Sequence, residues 1–410
     1  MPISSLPLSR RALLATAAAT ALPARRARAE KATLKIGVLT DLSGPYKDVA
    51  GPGAVEAARL AVEDSGLKAR GIDVEVLTGD HQNKADVGAG LARQWFDRDG
   101  VDVILEGTNS GVALAVASIA KEKNKVLLNS GAASSDLTGA QCNANTIHWV
   151  YDTYMLARST GGAMVAKGGD SWFFIVADYA FGHALQRDTA AFVQQAGGKV
   201  LDSVRYPFPS TTDFSSFLVQ AQSSGAKVLG LANTGTDVIN AIKQAHEFGI
   251  NMRLAALLIF ISDVHSLGLE VAQGLALTSA FYWDLNPGTR RFSDKFIKRQ
   301  PGRRPTMVQA GVYSSGLNYL RVAADIGVAQ ARADGAGVVA RLKATPTDDD
   351  CFGHGSIRAD GRKLHPSYLF EVKKPSESRG PWDYYKLLAT TPADQAFRPL
   401  TAGFCPLVKA

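Results

Sequence analysis

The sequence lacks the short patterns on which enzyme chemistry is usually built. It holds no Gly-x-Ser-x-Gly elbow, no phosphate loop ending in Gly-Lys-Ser/Thr, no His-Glu-x-x-His and no Cys-x-x-Cys. His246-Glu247 has no second histidine at zinc-binding spacing, and the seven histidines are scattered. Asp348-Asp349-Asp350 is followed by no further spaced oxygen ligands, so it reads as a solvated turn rather than a calcium loop. No catalytic residue, metal or cofactor is expected, and the chain is not read as an enzyme.

Long apolar runs are missing too. Nothing approaches the roughly 18 uninterrupted residues of a membrane span, so direct membrane insertion of the mature chain is not expected. Cysteine is scarce: Cys142, Cys351 and Cys405 allow one pair and one leftover, and the residues alone do not choose the pair. Acid is absent from the first 29 residues, where Arg10, Arg11, Arg25, Arg26 and Arg28 carry five charges of the formal +7 and leave +2 for the rest. A balance that small gives no case for nucleic acid.

Those first residues do have a pattern. Ser9-Arg-Arg-Ala-Leu-Leu14, the weakly apolar Ala15 to Ala24 and Ala27-Arg-Ala29 follow the order of a basic, an apolar and a small-x-small cleavage region. Residues 1–29 are therefore expected to be a removable export signal, twin-arginine-like in its paired arginines, with a general secretory route left open. The expected location of the mature chain is periplasmic, where disulfides persist.

From Thr33 onward, strand and helix patterns alternate. Leu34 to Leu39, Ile72 to Leu77, Val101 to Leu105 and Lys125 to Leu128 read as strands with helices between them, and a second series runs from Trp172 to Ala280. Leu254 to Ile261 and Leu275 to Ala280 are expected to complete that second unit. Regular β-α-β alternation implies parallel sheets covered on both faces. The expected fold is α/β, with residues 30–150 and 282–350 in one lobe and 151–281 and 351–410 in the other.

Two turns invite a ligand. Glu106-Gly-Thr-Asn-Ser-Gly111 follows one strand and opens a helix, and Asn129-Ser-Gly-Ala-Ala-Ser-Ser135 follows the next. In a parallel sheet such turns share the carboxyl edge, where free N–H groups at a helix start favour an anion. Helix capping by Asn109 or Ser110 is the plainer role of these residue types. Tyr46 after Gly44-Pro45, Tyr151 and Tyr154 at the crossing between units, and Thr234 at a strand end are further candidates.

The stretches Lys35 to Pro45, Gly53 to Asp64, Gly107 to Ala113, Ser130 to Ser134 and Asp178 to Gly182, in this order, resemble the branched-chain amino-acid type of periplasmic solute-binding proteins that serve ABC transporters. A narrower likeness in Thr146 to Tyr154, Gly168 to Phe174 and Phe260 to Gly268 points to the subgroup of aromatic-carboxylate binders. The resemblance implies a type I bilobal fold whose lobes close on a small carboxylate, with a membrane permease as partner. It places the carboxylate on Asn109, Ser110, Ala132, Ala133 and Ser134, sets Phe181 and Phe260 over an apolar body, and pairs Cys142 with Cys405. Amino-acid binders of this family carry an acid in the second lobe for the ammonium; Ala256-Leu-Leu-Ile-Phe260 has none, although Asp263 lies near. A branched-chain amino acid, or a sensor role on the same fold, stays as the alternative.

Overall fold

A computed structural model describes residues 32–409. The expected leader, residues 1–29, lies outside them.

The first sheet is built around β1 (Thr33–Thr40), which pairs with β2 (Asp73–Asp80) on one side and β3 (Val103–Glu106) on the other; β4 (Val126–Asn129) and β5 (Thr146–His148) follow outward. All are parallel, in the order β2-β1-β3-β4-β5. Every residue of β3 and β4 is buried, as unbroken apolar strands covered on both faces require. The edge strand β2 is mostly half-exposed, with only Gly79 buried. The second sheet has the order β7-β6-β8-β9, from β6 (Ser171–Ala177), β7 (Lys199–Tyr206), β8 (Val228–Ala232) and β9 (Arg253–Ala256), again parallel.

Three expectations need correction. The apolar run from Leu254 stays a strand only to Ala256; a helix takes over at Ile261–Leu267, where the Asp263 carboxylate accepts the Phe260 N–H at 2.9 Å. Short apolar runs are ambiguous between strand and buried turn, and here a side-chain cap decides. Second, β10 (Ala276–Ser279) does not join the second parallel sheet. After the short pair β11 (Ser356–Ile357) and β12 (Lys363–Leu364), the hairpin of β13 (Ser367–Val372) and β14 (Tyr385–Thr391) adds antiparallel to β10.

Third, residues 351–410 do not belong wholly with the second unit. Arg362 bridges in parallel to His148 at the edge of the first sheet. Fully buried, it donates to the Val150 carbonyl at 2.6 Å and pairs with Asp152 at 3.4 Å. Cys405 is joined to Cys142 with Cα atoms 5.6 Å apart, and Cys351 is free and buried. Residues 351–409 thus strap the crossing at Val150–Asp152 while sending one hairpin to the other side. Among the described residues no helix is long and apolar enough to cross a membrane.

Candidate functional site

At the carboxyl edges of both parallel sheets the turns meet around a narrow, nearly closed cavity. Asn109 caps the Ser110–Glu122 helix: its Oδ1 accepts the N–H groups of Gly111 and Val112 at 2.9 and 3.2 Å, and its backbone sits at φ 99°. Asn129 holds the echoing turn, accepting the Ala132 N–H at 3.0 Å and donating to the Ala132 carbonyl at 2.8 Å. The Ser110 hydroxyl ties the two turns together by accepting the Ser134 N–H at 3.1 Å. No protein acceptor meets the backbone N–H of Ser110 or of Ala133 among the described residues. Both residues line the cavity, so two donors at a helix start and a facing turn are available to an anion.

From the other sheet come Tyr179, Phe181, Thr234, Leu258 and Phe260. Tyr46 crosses toward them, its hydroxyl 2.6 Å from that of Tyr179, and Phe208 stacks on both rings. Tyr151 meets Phe260 edge-on at 5.9 Å and donates its hydroxyl to the Gly131 carbonyl at 2.5 Å. Burial pushes the hydroxyl pKa of Tyr46 and of Tyr151 well up, so both stay neutral. At Gly235 the backbone of the second half touches the first: φ is 65°, a Cβ would stand 2.5 Å from the Pro45 carbonyl, and Thr236 N–H donates to that carbonyl at 3.2 Å.

No acidic or basic side chain lines this cavity. Asp263, near in sequence, is turned to the Phe260 N–H, and burial raises it to about 7. The hydroxyls of Thr108 and Thr234 are buried in the wall without partners. Among the described residues no cluster of three or more His, Cys, Asp or Glu could hold a metal.

Residues 33–380 match the family model described as periplasmic binding protein. The chain belongs to that family. A periplasmic binding protein is the substrate-binding receptor of an ABC transporter, and this chain has that role. Its fold is type I: a periplasmic binding protein from Burkholderia mallei is 50% identical, covering 92% of this chain and 99% of its own, with a TM-score of 0.88. A branched-chain amino-acid ABC transporter ligand-binding protein from Burkholderia xenovorans LB400 is 39% identical over 91% of this chain and 99% of its own, with a TM-score of 0.78. An R. palustris solute-binding protein in complex with benzoate shares the fold at 20% identity, covering 88% of this chain and 97% of its own, with a TM-score of 0.78.

The binding-protein cavity gathers Tyr46, Asn109, Ser110, Ala132, Ala133, Tyr151, Phe181, Thr234 and Phe260. Ser134 and Tyr154 do not line it. Ser134 is fully buried behind the wall, where its hydroxyl accepts the Asp136 N–H at 3.3 Å and caps a 3-10 turn. Tyr154, on the short helix Thr153–Leu156, turns its ring edge-on to Phe192 at 5.0 Å. Sequence reasoning missed Val49, Thr108, Gly131, Tyr179 and Leu258. Tyr179 had a signal, since it stands between the end of β6 and the helix Ala180–Gln195.

Proposed function

We propose that the cavity binds a small hydrophobic carboxylate, most naturally an aromatic one, and that the protein is a periplasmic receptor delivering it to the membrane permease of an ABC importer. One observation carries this reading: the wall offers unpartnered N–H donors at one end and rings around the rest, with no charged side chain anywhere in it. A carboxylate is stabilised by such donors at a helix start. A buried α-ammonium would find no counter-charge there, which is costly. The rings of Tyr46, Tyr151, Phe181 and Phe260 suit a flat apolar body.

Two lobes move in this account. The first holds the sheet centred on β1 with the Asn109 and Ala132 turns; the second holds the sheet centred on β6 with Phe181, Thr234 and Phe260. They hinge where the chain crosses near Val150–Asp152, a segment braced by Arg362. Ligand favours closure to the extent that it touches both lobes at once. The function is binding, without turnover.

A branched-chain amino acid is the second reading, favoured by the name of the 39% identical Burkholderia xenovorans protein. A thermal-shift panel of aromatic acids, fatty acids and branched-chain amino acids separates the two, because a ligand bound only by the folded state raises its apparent stability. Stabilisation by an aromatic acid supports the proposal; stabilisation by leucine alone overturns it.

A further inference from the structure

Behind the anion-facing wall lies a carboxyl group that no positive charge answers. Glu106 ends β3 with a left-handed backbone, φ 86°, and is fully buried. Its Oε1 accepts the Thr108 N–H at 2.8 Å, while its Oε2 has no partner. Gly131 packs directly against the carboxyl: a Cβ there would lie 2.0 Å from Glu106 Oε1 and 2.3 Å from Thr108 Oγ1. Thr108 and Gly131 both line the cavity.

The groups facing Glu106 come from three elements. Thr40 and Asp41 stand at the end of β1, Thr108 on its own turn, and Tyr151 beyond Gly131. Asp41 repels a second negative charge. His81, which neighbours Asp41, is driven down to about 4 by burial and so adds no positive charge at neutral pH. Burial above all pushes the Glu106 carboxyl well above its ordinary range, outweighing Thr40 and the N–H groups of Thr108 and Gly107, which favour the charged form, with Asp41 adding to the rise.

Resting on the reading of the cavity as a carboxylate site, we propose that Glu106 is a positioning residue of that site, held as the uncharged acid. It braces the Thr108 turn through Oε1 and keeps fixed negative charge out of the wall where an anionic ligand docks. Two carboxylates separated by one glycine cannot both ionise cheaply. An ionised Glu106 would instead supply the counter-charge that an ammonium needs, so its protonation selects against amino acids as well.

Infrared spectroscopy on the ligand-free full chain tests the proton directly. Wild type is expected to show a protonated-carboxyl carbonyl band at pH 9, where Asp237 and Asp263, each at about 7, have ionised; Glu106→Gln lacks it. A pH 9 spectrum with no band sensitive to that substitution overturns the proposal, whatever ligand the cavity takes. Calorimetry with benzoate tests the positioning role: Glu106→Gln, which keeps a neutral acceptor, retains affinity within roughly threefold. It also loses the decline in affinity that wild type shows as pH rises through the Glu106 titration. A Glu106→Gln protein that is folded by circular dichroism yet binds tenfold more weakly contradicts the neutral-acid role. Should that variant not fold, Glu106→Asp must shift the pH 9 band, and an unmoved band overturns the assignment. Failure of wild type to bind benzoate, with the pH 9 band present, faults the ligand reading and not the protonation of Glu106.

Discussion

The hydroxyls of Tyr46 and Tyr179 meet at 2.6 Å across the cavity, one carried by the turn after β1 and the other by the turn after β6. This is a direct bond between the two halves, and it forms in the arrangement described here. Removing it with Tyr179→Phe leaves the stacking on Phe208 in place and deletes one hydrogen bond of about 0.5–1.5 kcal/mol. Ligand affinity should fall roughly two- to tenfold by calorimetry, with dissociation faster and the unfolding midpoint almost unchanged. An unaltered dissociation rate would mean that the pair does not hold the halves together.

A second contact between the halves lies at the exposed flank. Arg187 reaches from the helix Ala180–Gln195 to the Asp136 carboxylate at 3.0 Å and to the Ser135 hydroxyl at 2.8 Å. Its side chain is half exposed, so solvent screening keeps the contribution below about 1 kcal/mol. Arg187→Ala should speed ligand release severalfold at low salt, and the difference from wild type should shrink at high ionic strength. A salt-independent difference would assign the effect to packing.

Asn109→Ala tests the turn that carries Ser110 from its cap. Loss of the Oδ1 bonds to Gly111 and Val112 should cost about 1 kcal/mol of stability by urea unfolding. Binding should weaken as well, because the same residue fixes the turn that presents the Ser110 N–H. A loss of stability with unchanged binding would leave Asn109 a plain helix cap.

Burial raises the Asp237 and Asp263 carboxyls from an ordinary 3.8 to about 7. Between about pH 4 and pH 7 the native state then keeps protons that the unfolded chain has released, so this contribution to stability is lost as pH rises through the window. The buried, neutral His148 and His365, both shifted downward mainly by burial, act with the opposite sign, and they do so equally in wild type and variant. Asp263→Asn should therefore gain stability relative to wild type between pH 4.5 and pH 7.5 in urea titrations. A constant gap would show that Asp263 has an ordinary carboxylate in the fold.

Cys142 and Cys405 are 263 residues apart in sequence. Breaking a cross-link over a loop that long should cost about 2–5 kcal/mol, measured by urea unfolding of Cys142→Ser. Since the cross-link ties the tail beside the first sheet, ligand affinity should change little.

Much of the architecture was legible because parallel sheets write themselves as unbroken apolar runs: Val103 to Glu106 and Val126 to Asn129 are buried at every position. Where a strand ends, the carboxyl edge is fixed, and the Asn109 and Ala132 turns could be placed from that alone. Side-chain direction was not legible. Tyr151 and Tyr154 look equivalent in sequence, yet one faces the cavity and the other packs on Phe192. Ser134 looked like a ligand hydroxyl, but its neighbour Asp136 engages it twice, donating its N–H to the hydroxyl and accepting the O–H on its carboxylate, each at 3.3 Å. Tyr179 became visible as a partner only once β1 and β6, far apart in the chain, brought their turns face to face. The return of part of residues 351–409 to the first sheet depends on Arg362 and Cys405, long-range contacts that no local periodicity records.

Calorimetric titration of the protein with benzoate, benzamide and leucine puts the central claim to the most direct test. Benzoate carries the carboxylate and the ring, benzamide the ring without the charge, and leucine a carboxylate with an ammonium beside it. The account predicts one-to-one binding of benzoate, at least about tenfold weaker binding of benzamide, and no measurable binding of leucine. Leucine bound with benzoate excluded, or benzamide equal to benzoate, would contradict it.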